Sequence, residues 1–318
     1  MKILRPRQFE VVNYYGILSS SKTMVKAMEQ VKKAAASQES ILIRGETGTG
    51  KELVARMIHS CSPRSEQQYY ALNCAAFNRE LMTAELFGHK KGAYTGAVQD
   101  AAGILKTVNQ GTLFLDEIAE LDLDLQAKIL RVIQEKSYSP IGSTDQYEAN
   151  VRFVSATHKS LRSQLEKGLF REDLMYRIRV IPIFLPALRE RGDDTEMLMW
   201  RFIEELNSLG KRKILGIDER AFDCMMAYDW PGNIRELRNN IVYAYYMGEG
   251  KHIHCHDLLP ELLEAGKSKN PEHEEKIKYE EMVIMDLLKK HQGRKTAVAD
   301  ELGMSRATLW RKLKNMGI

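Results

Sequence analysis

The chain has 318 residues, 44% hydrophobic and 28% charged, with 47 basic and 43 acidic side chains and a net charge of +4. That balance excludes a mainly disordered chain and a fibre, and the length predicts two or three domains. No run of about 18 apolar residues is present, so no segment is predicted to cross a membrane as a helix. The opening residues, Met1-Lys2-Ile3-Leu4-Arg5-Pro6-Arg7, carry charge with no apolar stretch behind them and do not read as a secretory signal. Cys61, Cys74, Cys224 and Cys255 are scattered and form no CxxC pair, which predicts reduced thiols and a cytoplasmic protein.

Residues 22–36 space Met24, Val25, Met28 and Val31 along one helical face. Five short apolar runs follow at 41–43, 69–72, 113–115, 151–154 and 180–185, separated by helical stretches. Apolar strands alternating with helices predict an α/β fold with a parallel sheet covered on both faces. Beyond Pro186 the pattern changes, and only helices are predicted up to residue 260. They cover about 195–208, 218–228, and a stretch opening at Pro231, a favourable first-turn residue. Residues 264–276 offer almost nothing to bury and read as a linker. The predicted domains are therefore 1–188, a nucleotide-binding α/β part; 189–263, a helical lid; and 277–318, a small all-α domain.

The charge is concentrated in that last piece. Residues 289–318 hold eight basic side chains against two acidic ones, +6, which leaves −2 for the rest of the chain. A compact basic module on a near-neutral body suggests nucleic-acid binding. Thr296 to Leu302 can form a short helix that Gly303 breaks, and Ser305 is a good N-cap for a second helix to about Asn315. In such a helix–turn–helix, the start of the second helix meets base edges. Arg306, Thr308 and Arg311 are expected to read bases, and Lys295, Lys312 and Lys314 to touch phosphates.

Gly45-Glu46-Thr47-Gly48-Thr49-Gly50-Lys51 lies between the first apolar run and a helical stretch opening at Glu52. Glycines let backbone N–H groups curl around a phosphate, a helix N-terminus adds its dipole, and Lys51 reaches the terminal phosphates. Glu52 stands where such loops usually carry a magnesium-binding Ser or Thr. Asp116, nucleotide oxygens and waters are then left to hold Mg2+. Asp116 ends the third apolar run and can orient the metal, while Glu117 can polarise the attacking water. Together the two motifs predict NTP hydrolysis.

Gly88, Gly92 and Gly96 recur every fourth residue and would weaken a helix by about 1 kcal/mol each. This segment reads as a projecting loop with Tyr94 at its tip. The cluster His252, His254, Cys255 and His256 has ligand chemistry, but its spacing does not suit a zinc finger.

The 45–52 sequence, including Glu52, resembles the Walker A motif of bacterial enhancer-binding proteins, the AAA+ activators of sigma-54 RNA polymerase. Glu85 to Ala97 resembles that family's GAFTGA loop, with Tyr94 in place of the usual Phe. The resemblance implies an AAA+ P-loop domain, a lid and a Fis-type helix–turn–helix. It implies ATP and Mg2+ as cofactors, with nucleotide contacts from Gly45, Glu46, Thr47, Gly48, Thr49, Gly50, Lys51 and Glu52. Thr157 would be the γ-phosphate sensor and Arg235 the lid sensor. Asn73 would hold Glu117 until nucleotide is sensed. Arg171 and Arg177 would act as arginine fingers in a neighbouring subunit, making the active form a homo-oligomeric ring, a hexamer by the family's pattern. Gly92, Ala93, Tyr94, Thr95, Gly96 and Ala97 would contact sigma-54, and the tail would bind double-stranded DNA upstream of promoters. A nucleoid-associated ATPase activator is the resulting expectation. The alternative is a DNA-bound regulator of the ordinary polymerase that uses nucleotide as a switch; proteins of that kind typically lack the glycine loop. About twenty residues precede the α/β part, so control by a separate regulatory protein and origin as a piece of a longer chain both remain open.

Overall fold

A computed structural model describes residues 2–93 and 97–263, together with Leu287, His291, Lys295 and Val298. Its centre is a sheet of five parallel strands: β1 (Ile41–Arg44), β2 (Tyr69–Asn73), β3 (Thr112–Asp116), β4 (Arg152–Thr157) and β5 (Ile181–Phe184). The spatial order is β5-β1-β4-β3-β2. All five predicted strands are present within a residue or three of their expected bounds.

Burial on both faces explains their composition. Ile41, Ile43, Phe114 and Val154 pack on one side beneath helices α1 (Lys22–Ala35) and α2 (Lys51–Ser60). Leu42, Leu113, Leu115 and Phe153 pack on the other, against α3 (Arg79–Phe87) and α4 (Leu123–Glu135). Arg152, only 2% exposed, donates to the carbonyls of Ala34 and Ala35 and so satisfies the C-terminus of α1. Parallel pairing brings the strand ends to one edge of the sheet. Asn73 is in register with Asp116, and Thr157 with Arg44. The chain order reverses around β1, so the loop after it opens at the crevice where α/β sheets bind ligands.

After α5 (Glu172–Ile178) and β5 the chain enters the lid, whose core is built by α6 (Asp194–Ser208), α7 (Glu219–Ala227) and α8 (Asn233–Met247). Two features differ from expectation. The lid is not purely helical. Gly216–Asp218 pairs in parallel with His252–Ile253 and antiparallel with Ile3–Leu4, so the start of the chain belongs to the lid's sheet. Strands of two or three residues are too short to show a period in sequence. The other difference is at α8, which begins at Asn233 instead of Pro231, because Trp230 and Asn233 adopt φ of 51° and 54° and turn the chain there.

Further contacts tie the N-terminal segment to the lid. Asp194, fully buried, accepts from Ser19 Oγ at 2.7 Å, Ser20 N at 2.7 Å and Ser21 N at 3.1 Å. Arg7 reaches Asp193 at 2.7 Å and Glu196 at 2.9 Å. The expected linker and, from the expected DNA-reading set, Arg306, Thr308, Arg311, Lys312 and Lys314 lie outside the described residues. Lys295 is helical and exposed, and Val298 is helical and buried.

Candidate nucleotide site

The loop between β1 and α2 turns on two of its glycines. Gly48 and Gly50 take φ of 79° and 97°, a left-handed region that glycine enters without a Cβ penalty. Thr49 is buried and its hydroxyl closes the loop on Glu46 O at 2.8 Å. Lys51, 6% exposed, points its ammonium back over the loop to Gly45 O at 3.2 Å and Glu46 O at 3.3 Å. It also lies 3.3 Å from Glu117 Oε1, so the loop lysine and the second carboxylate after β3 face one another directly. Glu52 is turned outward toward Arg56 at 3.5 Å, away from this cradle.

Asp116 and Glu117 sit at the C-terminal end of β3 in contrasting environments. Burial, followed by the charge of Glu117, raises the Asp116 carboxyl above the ordinary range; Lys51 opposes this. Burial also works to raise Glu117, but the hydrogen bond from His158 and the Lys51 charge outweigh it, and the net shift is downward. Glu117 is therefore a carboxylate at neutral pH, held on two sides. His158 Nδ1 is 2.8 Å from its Oε2, and the His158 backbone N–H donates to the same oxygen at 3.3 Å. Its own backbone is left-handed, φ 52°. Asp116 accepts from the Glu117 N–H at 3.1 Å. One carboxylate oxygen donor beside a phosphate loop suits magnesium, which keeps several waters and takes its other ligands from phosphates.

His158 is the site residue that sequence reasoning overlooked. Its signal was its place directly after Thr157, at the end of a strand aimed at the site. Asn73 is next to Asp116 in register, yet its Oδ1 accepts from Ala75 N at 2.8 Å in a local turn. Thr157 is fully buried, and its hydroxyl accepts from Lys159 N at 3.0 Å.

The remaining predicted residues lie around this centre. Arg235 lines a cleft of about 340 Å³ with Thr47, Gly232 and Glu236, which places the lid arginine next to the phosphate loop. Arg171 and Arg177 are exposed on α5 and at its start. Arg171 is paired with Asp173 at 2.7 Å, and its backbone N–H is fixed by the buried Gln126 at 2.8 Å. The glycine loop rises from a small hairpin in which Gly88 faces Ala102 and His89 faces Ala101. Lys90 bridges to Asp100 at 3.1 Å, and the Gly92 N–H donates to Ala97 O at 2.9 Å, closing the loop at its neck. Tyr94, Thr95 and Gly96 lie outside the described residues.

Comparison with known proteins settles the family. The profile described as "Sigma-54 interaction domain" matches residues 17–184. The chain belongs to the sigma-54-dependent enhancer-binding proteins. The profile of the "AAA+ ATPase lid domain" matches residues 189–275, and that of "Bacterial regulatory protein, Fis family" matches 278–316. Regulatory protein AtoC of Escherichia coli is 42% identical over 312 residues, covering 95% of this chain and 68% of AtoC. Transcriptional regulatory protein ZraR of Salmonella typhimurium is 39% identical over 302 residues, covering 94% and 68%. The crystal structure of NtrX from Brucella abortus in complex with ATP superposes with a TM-score of 0.71 at 30% identity, covering 95% of this chain and 69% of NtrX. NtrX in complex with ADP gives the same TM-score and identity. As an enhancer-binding protein the chain carries an AAA+ domain, a lid and a Fis-type DNA-binding domain. The site geometry and the nucleotide-bound NtrX structures support nucleotide binding and ATPase activity. No described helix is long and apolar enough to cross a membrane.

Proposed function

We propose that this enhancer-binding protein is an ATP-driven activator that remodels the closed sigma-54 polymerase–promoter complex. The observation that carries the reading is a conjunction. A phosphate loop whose lysine faces the Glu117 carboxylate shares one domain with a glycine loop raised on its own hairpin. In this reading Lys51 and the loop N–H groups bind the ATP phosphates. Asp116 holds Mg2+, which neutralises phosphate charge. Glu117, ionised at neutral pH, orients the attacking water and accepts its proton. Thr157 senses the γ-phosphate, and Arg235 reports it to the lid. Asn73 takes Glu117 over from His158 and Lys51 in another nucleotide state.

Arg171 and Arg177 are exposed at the start of α5 and on it, open to a neighbouring subunit. They stabilise transition-state charge in the neighbour's site of a homo-oligomeric ring, a hexamer when active. The Gly92–Ala97 loop grips sigma-54, and the C-terminal tail holds double-stranded DNA upstream of the promoter, making the protein cytoplasmic and nucleoid-associated. A separate regulatory protein or an attached sensory segment sets when the ring forms.

Tyr94→Ala tests the loop directly. Hydrolysis is expected to stay within about twofold of wild type, because this reading gives Tyr94 no part in binding phosphate, while open-complex formation on a sigma-54 promoter is lost. Normal open-complex formation by that variant would refute the assignment.

A further inference from the structure

The phosphate loop is held from outside by the lid. Three successive carbonyls of the loop each accept from a group beyond it. Thr47 O accepts from Asn233 Nδ2 at 3.0 Å, Gly48 O from the Ile234 N–H at 3.1 Å, and Thr49 O from Arg191 Nη2 at 2.8 Å. In a trans peptide the carbonyl of one residue and the N–H of the next point in opposite directions. Fixing the Thr47 and Thr49 carbonyls outward therefore aims the N–H groups of Gly48 and Gly50 inward. Inward-pointing N–H groups are what a phosphate requires of such a loop.

Asn233 is the centre of this clamp. It is fully buried and lies at the start of α8. Its Oδ1 accepts from the Leu188 N–H at 2.8 Å, at the neck between sheet and lid. Its Nδ2 reaches Glu46 Oε2 at 3.1 Å as well as Thr47 O. Arg189, also at the neck, bonds the same Glu46 carboxylate at 2.9 Å. One side chain thus joins lid, neck and phosphate loop.

The local backbone is arranged around that role. Trp230 and Asn233 both have positive φ, which is costly for a tryptophan and tolerable for an asparagine. The turn they make brings Gly232 O so near the loop that a Cβ on Gly48 would lie 2.2 Å from it. Gly48 is therefore needed for this approach as well as for its own φ of 79°.

We infer that Asn233 is a positioning residue for nucleotide binding: through Thr47 O and Glu46 it holds the phosphate loop in its binding shape and couples that shape to the lid. This rests on the ATPase reading above. It is distinct from the sensor role of Arg235, which faces the cleft instead of the loop carbonyls.

The test uses the full chain and two variants. Asn233→Gly keeps the left-handed backbone and deletes the side chain. Asn233→Asp keeps the acceptor for Leu188 N–H, removes the donor to Thr47 O, and sets a second carboxylate against Glu46. Fluorescent ADP binding, the KM and kcat for ATP, and melting temperature are measured for each. Asn233→Gly is expected to raise both the ADP Kd and the KM about tenfold, with kcat at saturation within about threefold of wild type. Asn233→Asp should bind at least as weakly with kcat at saturation within about threefold of wild type, its melting temperature falling because a buried carboxylate then faces Glu46. Unchanged affinity in both variants, or a loss of melting temperature and kcat with KM unaltered, would reduce Asn233 to a lid-folding residue and overturn the inference. Wild type that binds no nucleotide would bring down the ATPase reading and this inference together. Wild type that hydrolyses ATP beside unaffected variants would bring down this inference alone.

Discussion

The two sets of charged residues assigned to hydrolysis are built in opposite ways. Lys51 and Glu117 are 6% and 14% exposed, and they meet although 66 positions apart in the chain, because β1 and β3 are brought together by the sheet. Arg171 is 41% exposed, and its partner, Asp173, is two residues away. The first pair has its geometry imposed by the fold. The second is oriented by little more than its own helix turn, so its working geometry must come from whatever α5 docks against. In the proposed ring, a site divided in this way would bind nucleotide within one subunit and gain its arginines when subunits meet.

Each half can be attacked alone. Lys51→Ala should abolish both nucleotide binding and hydrolysis, read by fluorescent nucleotide titration and phosphate release; retained tight binding would mean the loop lysine is not the anchor. Arg177→Ala should bind nucleotide normally yet hydrolyse about 10³-fold more slowly. Mixing it with Glu117→Gln subunits should restore part of the rate, since each variant supplies what the other lacks; no recovery at any mixing ratio would place the arginine outside the neighbour's site. The smallest effect concerns His158. Its hydrogen bond helps depress the Glu117 carboxyl, so in His158→Ala that group should titrate at higher pH. Because the ionised form is the competent one, the acid limb of the hydrolysis profile should move to higher pH. A shift to lower pH, or none, would show that His158 does not govern Glu117.

Much of the α/β part was legible in sequence because its strands are buried on both faces and read as unbroken apolar runs, as in Leu113-Phe114-Leu115. The phosphate loop was legible because glycine, lysine and a following helix occur together for one physical reason. The lid's sheet was not, because Ile3–Leu4, Gly216–Asp218 and His252–Ile253 are brief and their partners lie far apart in the chain. The left-handed turn at 230–233 was also missed: Pro231 fits the first turn of a helix so well that it hid the start of α8 two residues later. Asn233 and His158 escaped notice because their roles are set by tertiary contacts, with Thr47, Leu188 and Glu117, that no local pattern encodes. Within the site, Asn73 stood next to Asp116 as the strand register required, while the partners of Glu117 are Lys51 and His158, the residue directly after the neighbouring strand β4.

The way the chain's first strand enters the lid has a mechanical consequence. Besides the Asn233 and Ile234 clamp on the phosphate loop, two stretches of chain tie the lid to the α/β part. One is the neck at 186–191, where Arg191 is bonded to Thr49 O and Pro186 O. The other is the N-terminal segment, stitched to the lid at Ile3–Leu4 and again where Ser19, Ser20 and Ser21 grip Asp194 before the chain runs into α1. A flap on a single tether can tilt in any direction, whereas one on two tethers turns about the line joining them. The lid is in that sense a door with two hinges, and a tug on the first few residues would be delivered to the door as torque.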